Sequence, residues 1–296
     1  MPSGCYKVKR RDAGWPSAVS FVRKLNGSSQ PSIITATDGE SYVMKFAEFT
    51  GERGLLNDAV GTELLAYAGL PVPNWSPIHV TDEFIDRNPG AWYRSQGGHT
   101  GNRPKAGLHF GSSLTLSKDG SEPYQIISTK WTARVSNRDH YIGALLMDLW
   151  ANNCDRRQSL FLTQPRSGAL RAVFIDNDHM FGGQKGDEKT CARRCMTSDK
   201  SFYSGIWTKK NFVSWRQRID LIDDNCIASI LSLIPRQWAD EDARADVQSQ
   251  LGRRRRTLDL LIAEANKVLV SGRFIEFERP RGALEENPFA QIRTLQ

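Results

Sequence analysis

CDRRQSLFLTQPRSGALRAVFIDND (154–178) is the stretch on which the fold turns. Leu160 to Leu162 and Leu170 to Ile175 are short apolar runs on either side of the turn-like Gln164-Pro165-Arg166-Ser167-Gly168, the pattern of a β-hairpin. Asp155 precedes the first run and Asp176 follows the second, so closing the hairpin brings both carboxylates to one end. Just upstream a helix is expected from about Asp139 to Asn152, because Ile142, Leu145, Leu146, Leu149 and Trp150 fall on one apolar face.

Toward the N-terminus a second hairpin is expected. An apolar segment near Val19 to Val22 leads into the loop Asn26-Gly27-Ser28-Ser29. Ser32 to Ala36 and Tyr42 to Phe46 then read as strands joined by Asp38-Gly39, a strong turn signal between β-type runs. Lys45 therefore lies near the end of the second strand, close to the Gly-Ser-Ser loop before the first. Leu55 to Gly69 reads as a helix, with Leu56, Val60, Leu64 and Tyr67 at spacings of four and three and with Gly69 and Pro71 ending it. Asp58 and Glu63 are its acidic residues. The polar region Asp86 to Lys105 is expected to be a lobe connection or a mobile loop. From about Asn211 to Val270 the pattern is helical, broken at Pro235.

Composition sets bounds on function. With 296 residues and 39% hydrophobic content, the chain is long enough for one large domain or two lobes with a real core. No apolar run is long enough for a membrane helix, and MPSGCYKVKRR (1–11) is not followed by an apolar stretch, so a cytoplasmic protein without a signal peptide is expected. Five cysteines (Cys5, Cys154, Cys191, Cys195, Cys226) are too scattered for a disulfide framework, which fits a reducing compartment. Cys191 and Cys195 lack a second ligand pair at zinc-like spacing. A net charge of +7 permits acidic partners such as nucleotides. The run Arg253 to Arg256 lies in a helical pattern, where successive residues point about 100° apart. It reads as a solvated face and not as a nucleic-acid stripe.

A small-residue loop, a strand lysine, an acidic helix and two aspartates at one end of a hairpin form an order suited to phosphoryl transfer. That chemistry needs phosphates positioned, charge neutralised by Mg²⁺ and a carboxylate to orient the attacking hydroxyl. The stretches NGSSQPSIITATDGESYVMKF (26–46), NDAVGTELLAYAGLPVP (57–73), GLHFGS (107–112), DLWANNCDRRQSLF (148–161) and FIDNDHMFGG (174–183) resemble the HipA-like kinase family, as do IPRQW (234–238) and the helix after it. The resemblance extends over most of residues 18 to 265. It implies an α+β, bilobal protein-kinase-like fold, with a small β-rich N-lobe (1–105), a larger, mainly α-helical C-lobe (106–275) and a tail (276–296).

The resemblance also implies ATP and Mg²⁺ as cofactors and a hydroxyl-bearing acceptor, expected to be a protein serine or threonine; a regulatory partner protein is possible. Lys45 matches the phosphate-binding lysine, with Gly27, Ser28 and Ser29 in the loop before it. Asp58 matches the helix acid, shorter by one methylene than the family's glutamate, so Glu63 stands as its substitute. His109 is a candidate for the nucleotide cleft, with a hydrogen-bonded structural role as the alternative. Asp155 matches the catalytic aspartate and Asp176 the metal-binding one. Many such kinases carry a metal-binding asparagine five residues after the catalytic aspartate, but Leu160 stands there; Gln158, Asn153 or Asp178 would have to complete the site. That departure leaves a nucleotide-binding pseudokinase as the second reading, and a basic nucleic-acid-binding protein as the third.

Overall fold

The computed structural model describes residues 14–94, 101–165, 167–183 and 200–270. In the first lobe the strands are β1 (Ala18–Lys24), β2 (Ser32–Ala36), β3 (Ser41–Lys45), β4 (Trp75–Val80), the short pair β5 (Tyr93–Arg94) and β6 (Gly101–Asn102), and β7 (Gly107–Ser113). Five of them form one antiparallel sheet in the order β1-β2-β3-β7-β4. The helices here are α1 (Ala47–Thr50), α2 (Glu52–Tyr67) and α3 (Asp82–Arg87).

The Asp38-Gly39 turn closes the β2–β3 hairpin as its sequence demands. Gly39 takes φ +81°, which glycine adopts without steric cost. Asp38 accepts hydrogen bonds from the Glu40 amide (3.1 Å) and the Tyr42 hydroxyl (2.8 Å). Period-two alternation then sends Tyr42 and Met44 into a small core with Ile34, Phe46, Ile78 and Val80. Ile33 and Val43, on the opposite face, line the cleft.

The first lobe is longer than expected. β7 pairs with both β3 and β4, so the sheet carries this lobe through Ser113 and past the boundary expected after residue 105. The region Asp86 to Lys105 is an insertion between β4 and β7 and does not join the lobes; the chain leaves the first lobe at Leu114. Residues 276–296 and the pair Cys191 and Cys195 lie outside the described residues.

In the second lobe, α4 (His140–Trp150) is buried from Tyr141 to Trp150. It precedes the hairpin of β8 (Gln158–Thr163) and β9 (Leu170–Ile175), and α5 (Lys209–Asp220), α6 (Asp224–Ser232) and α7 (Glu241–Val270) complete the lobe. Apolar side chains on every face suit α4 to the middle of the core. Two of the four consecutive arginines on α7 serve this core. Arg254 Nε donates to the Leu149 and Trp150 carbonyls (3.1 and 3.0 Å) at the C-terminal end of α4, and the Arg255 guanidinium lies 4.8 Å from the Trp150 ring centre. The expectation of a wholly solvated arginine face fails at these two positions. Trp238 Nε1 donates to the Leu108 carbonyl (2.9 Å) and ties the helical lobe back to β7. No helix among the described residues is long and apolar enough to cross a membrane. Cys226 is a free thiol.

Candidate active site

Three segments converge on Lys45. β3 delivers its side chain from the sheet, α2 brings Asp58 from one side, and the end of the β8–β9 hairpin brings Asp176 and Asp178 from below. Lys45 Nζ donates to Asp58 Oδ2 at 2.7 Å, Asp176 Oδ1 at 2.5 Å and Asp178 Oδ2 at 3.4 Å. α2 can come this close because Gly61 has no side chain; a Cβ there would stand 2.6 Å from Cβ of Asn177. Asn57, one residue before Asp58, anchors the same loop by donating to the Asp178 and Met180 carbonyls (3.0 and 2.7 Å). Asp176 itself takes φ +64°, a left-handed conformation uncommon outside glycine and tolerated best by Asn and Asp. The surrounding bonds hold it there: Asp58 Oδ1 accepts from the next amide, that of Asn177, at 3.0 Å.

Electrostatics make this cluster unbalanced. Burial works against the charge on Lys45, but Asp58, Asp176 and Asp178 outweigh it and raise the ammonium well above its ordinary range. Burial likewise opposes ionisation of Asp176, yet the Lys45 charge and hydrogen bond hold its carboxyl below the usual value. Asp178 is left over. Burial first, then repulsion from Asp176 and Asp58, push its carboxyl up to about 8 despite the pull of Lys45. Its Oδ1 is buried without a hydrogen-bond partner. Carboxylate oxygens of Asp58, Asp176 and Asp178 all lie within 4.8 Å of one another. An oxygen-rich, over-acidic pocket with an orphaned carboxylate oxygen fits a hard divalent cation such as Mg²⁺.

Asp155 stands at the other side of the hairpin end. Its amide donates to Asn153 Oδ1 (3.1 Å), its Oδ1 accepts from the Arg156 amide (2.8 Å), and it has no ion pair among the described residues. Asn153 is thus spent on the loop: its amide nitrogen donates to Asp148 (2.9 Å) and its oxygen holds Asp155, so it does not face the carboxylate cluster as a metal ligand would. Gln158 does, with Nε2 2.5 Å from Asp176 Oδ2. Leu160 lines the cleft with its apolar side chain.

Two expected nucleotide residues lie elsewhere. Glu63 accepts from Trp75 Nε1 (2.8 Å), and Asp58 makes the contact with Lys45 for which Glu63 was the substitute. His109 bridges its own neighbourhood: Nδ1 accepts from the Ala47 amide (3.1 Å), Nε2 lies 3.0 Å from the Lys105 carbonyl, and the ring packs edge-on to Phe46. It has the structural role weighed as its alternative.

A cleft of about 810 Å³ runs between the lobes and is lined by Lys45, Asp58, Asp155, Gln158 and Asp176. Ile33 and Val43 roof it, Phe110 closes its back, and Leu160 and Ile175 line its floor. Gly27, Ser28 and Ser29 overhang it from the β1–β2 loop, where Gly27 takes φ +141°, open only to glycine. An apolar slot leading to a lysine and a carboxylate cluster can bury a planar base at one end and bind phosphates at the other.

One functional group escaped the sequence reading. Arg157, two residues after Asp155, is buried and donates through Nε to Asp148 Oδ2 (3.0 Å) and through Nη1 to Asn177 Oδ1 (2.7 Å) and the Ile175 carbonyl (3.1 Å). It joins α4, the loop carrying Asp155 and the loop carrying Asp176. An arginine and an aspartate nine residues apart on either side of a helix end carry no periodic signal.

Comparisons with known proteins agree with this geometry. The crystal structure of a Helicobacter pylori proinflammatory kinase, CtkA, matches with a TM-score of 0.52 at 13% identity, covering 86% of this chain and 97% of that one. At that identity the likeness speaks for a shared kinase-like α+β fold. No curated protein matches the chain. A sequence model described as HipA-like kinase matches residues 19–267, and the chain therefore belongs to the HipA-like kinase family.

Proposed function

We propose that the protein transfers the γ-phosphate of ATP to a serine or threonine hydroxyl of another protein, in the cytoplasm and with Mg²⁺. The observation that carries this reading is the unbalanced Lys45–Asp58–Asp176–Asp178 cluster opening onto a cleft that also holds Asp155. Lys45 binds the α- and β-phosphates, and Asp58 keeps its ammonium charged and aimed. Asp176 and Asp178, with Gln158 beside them, would hold Mg²⁺, which supplies neutralising charge for the phosphates. The base lies in the slot between Ile33 and Val43 above and Leu160 and Ile175 below, while Gly27, Ser28 and Ser29 cover the phosphates. Asp155 accepts a hydrogen bond from the acceptor hydroxyl and takes its proton as the oxygen bonds to the γ-phosphorus; the bond to the bridging oxygen breaks and ADP leaves.

Leu160 supports a second reading, a pseudokinase that binds nucleotide without transfer. Both readings expect ATP to raise the melting temperature, so labelled phosphate decides between them. Incubation with γ-labelled ATP and Mg²⁺ should yield phosphoserine or phosphothreonine with the unaltered protein and none with Asp155→Ala. Transfer undiminished in Asp155→Ala sinks the kinase assignment of that residue; nucleotide binding without transfer in the unaltered protein establishes the pseudokinase.

A further inference from the structure

The roof of the cleft ends in a charge. In the register of the sheet, Ser112, Val43, Ile33 and Arg23 form one row across β7, β3, β2 and β1, and all four line the cleft. Arg23 is the last of the row, on the edge strand. Glu122, which lines the same cleft, meets it there: Arg23 Nη2 donates to Glu122 Oε1 at 2.6 Å.

The two partners belong to different lobes. Two residues after Arg23, the Leu25 amide donates to the Pro31 carbonyl (2.7 Å) and closes the loop that carries Gly27, Ser28 and Ser29, so this loop follows the end of β1. Glu122 is fixed to the second lobe. The Ser117 amide donates to the Ser121 carbonyl (2.9 Å) to close the turn before it, and Ser117 Oγ accepts from the Thr163 amide of β8 (3.1 Å). Two residues after Glu122, Tyr124 exchanges both backbone hydrogen bonds with Phe161 (3.0 and 2.8 Å). The pair therefore spans the lobes on the edge-strand side of the cleft, whereas Lys45 and Asp176 span them inside it and Arg53 and Asp246 (2.6 Å) join α2 to α7.

Exposure decides what such a pair can do. Both side chains are 36% exposed, so water replaces the contact at small free-energy cost, and the pair adds little to the stability of the fold. A contact that closes a cleft and opens readily suits a site through which a ligand comes and goes.

Resting on the nucleotide reading above, we propose that Arg23 and Glu122 form a latch on nucleotide exchange. Phe110 closes the back of the cleft, so a base reaches the slot between Ile33 and Val43 above and Leu160 and Ile175 below from the edge-strand side, past this pair. Opening the pair frees β1 and its loop from the second lobe; closing it returns the loop to its place over the phosphates. Arg23 and Glu122 are positioning residues that hold each other and not the reacting atoms.

Stopped-flow measurement of N-methylanthraniloyl-ADP binding to the whole protein with Mg²⁺ tests this. Arg23→Gln and Glu122→Gln should each speed both association and dissociation about two- to fivefold, the range open to a partly exposed ion pair. The Kd should stay unchanged, because the latch is closed before and after binding. The double variant should be no faster than either single one, and high salt should erase the difference from the unaltered protein. Exchanging the charges, Arg23→Glu with Glu122→Arg, should restore the slow rates, which damage to the fold would not allow. Rates unchanged in both single variants overturn the latch and leave the nucleotide reading standing. Faster dissociation alone, with a weaker Kd, makes the pair a nucleotide contact and overturns the latch as well. No binding of the labelled ADP to the unaltered protein overturns the nucleotide reading itself, and this inference with it.

Discussion

Two buried charge clusters meet at Asn177 and are balanced in opposite ways. On one side Arg157 and Asp148, with side chains 1% and 0% exposed, pair with each other, and Asn153, Asn177 and the Ile175 carbonyl take up the remaining bonds. On the other side a single ammonium faces three carboxyl groups, and one carboxylate oxygen, Asp178 Oδ1, has no hydrogen-bond partner and only the His179 ring 3.9 Å away. Asn177 links them, accepting from Arg157 and donating its amide to Asp58. A buried pair that is fully satisfied acts as a scaffold. A buried group with surplus charge and an orphaned oxygen is built for something that arrives later. The difference separates the part of the site that holds shape from the part that binds.

That separation can be broken experimentally at several strengths. The largest effect is expected at the balanced cluster: Arg157→Ala should cost about 3–5 kcal/mol of stability, because it leaves Asp148 charged and unpaired in the core. Urea denaturation measures it, and a loss below about 1 kcal/mol would mean that the pair is not the scaffold described. At the unbalanced cluster the effects should fall on activity. Asp176→Ala is expected to lower phosphotransfer about a thousandfold, on the order of 4 kcal/mol of barrier, with a melting temperature close to that of the unaltered protein. Gln158→Leu should weaken Mg²⁺-dependent activity about 10- to 100-fold, as loss of a partner to a metal-holding carboxylate does; activity restored by raised Mg²⁺ would identify the cause.

A pH experiment sharpens the same contrast. In the folded, metal-free protein Asp178 keeps its proton to about pH 8, whereas the unfolded chain releases it near pH 4. The folded form thus binds more protons between those values, and the metal-free protein should lose stability as pH rises through that window and level off above it. Asp178→Asn should flatten the slope. Melting curves recorded without Mg²⁺ from pH 5 to 9 read it out. The smallest effect is expected at Glu63: Glu63→Gln, which keeps the acceptor for Trp75, should leave the KM for ATP unchanged.

Both hairpins were legible because turn chemistry and apolar runs are local signals. Asp38-Gly39 and Gln164 to Gly168 mark the reversals, and from them follow the position of Lys45 and the shared end of Asp155 and Asp176. Contacts set by the packing of separate elements were not legible. The choice of Asp58 over Glu63 depends on which face of α2 meets β3, and α2 is buried on most of its surface, so its periodicity does not single out one face. The role of His109 depends on β7 lying beside the chain after β3, a pairing between strands distant in sequence. Arg157 and Arg254 look like surface charges in the sequence, yet both turn inward, Arg157 to the Asp148 and Asn177 side chains and Arg254 to carbonyls at the end of α4 that lack partners within the helix. The orphaned oxygen of Asp178 is a property of three dimensions alone.

Calorimetric titration of ATP into the protein, with and without Mg²⁺, tests the central claim most directly. The account predicts tight binding with Mg²⁺, much weaker binding without it, and loss of the Mg²⁺ dependence in Asp176→Ala. ATP binding of equal strength with and without Mg²⁺, unchanged by Asp176→Ala, would contradict the assignment of the carboxylate cluster as a nucleotide–metal site.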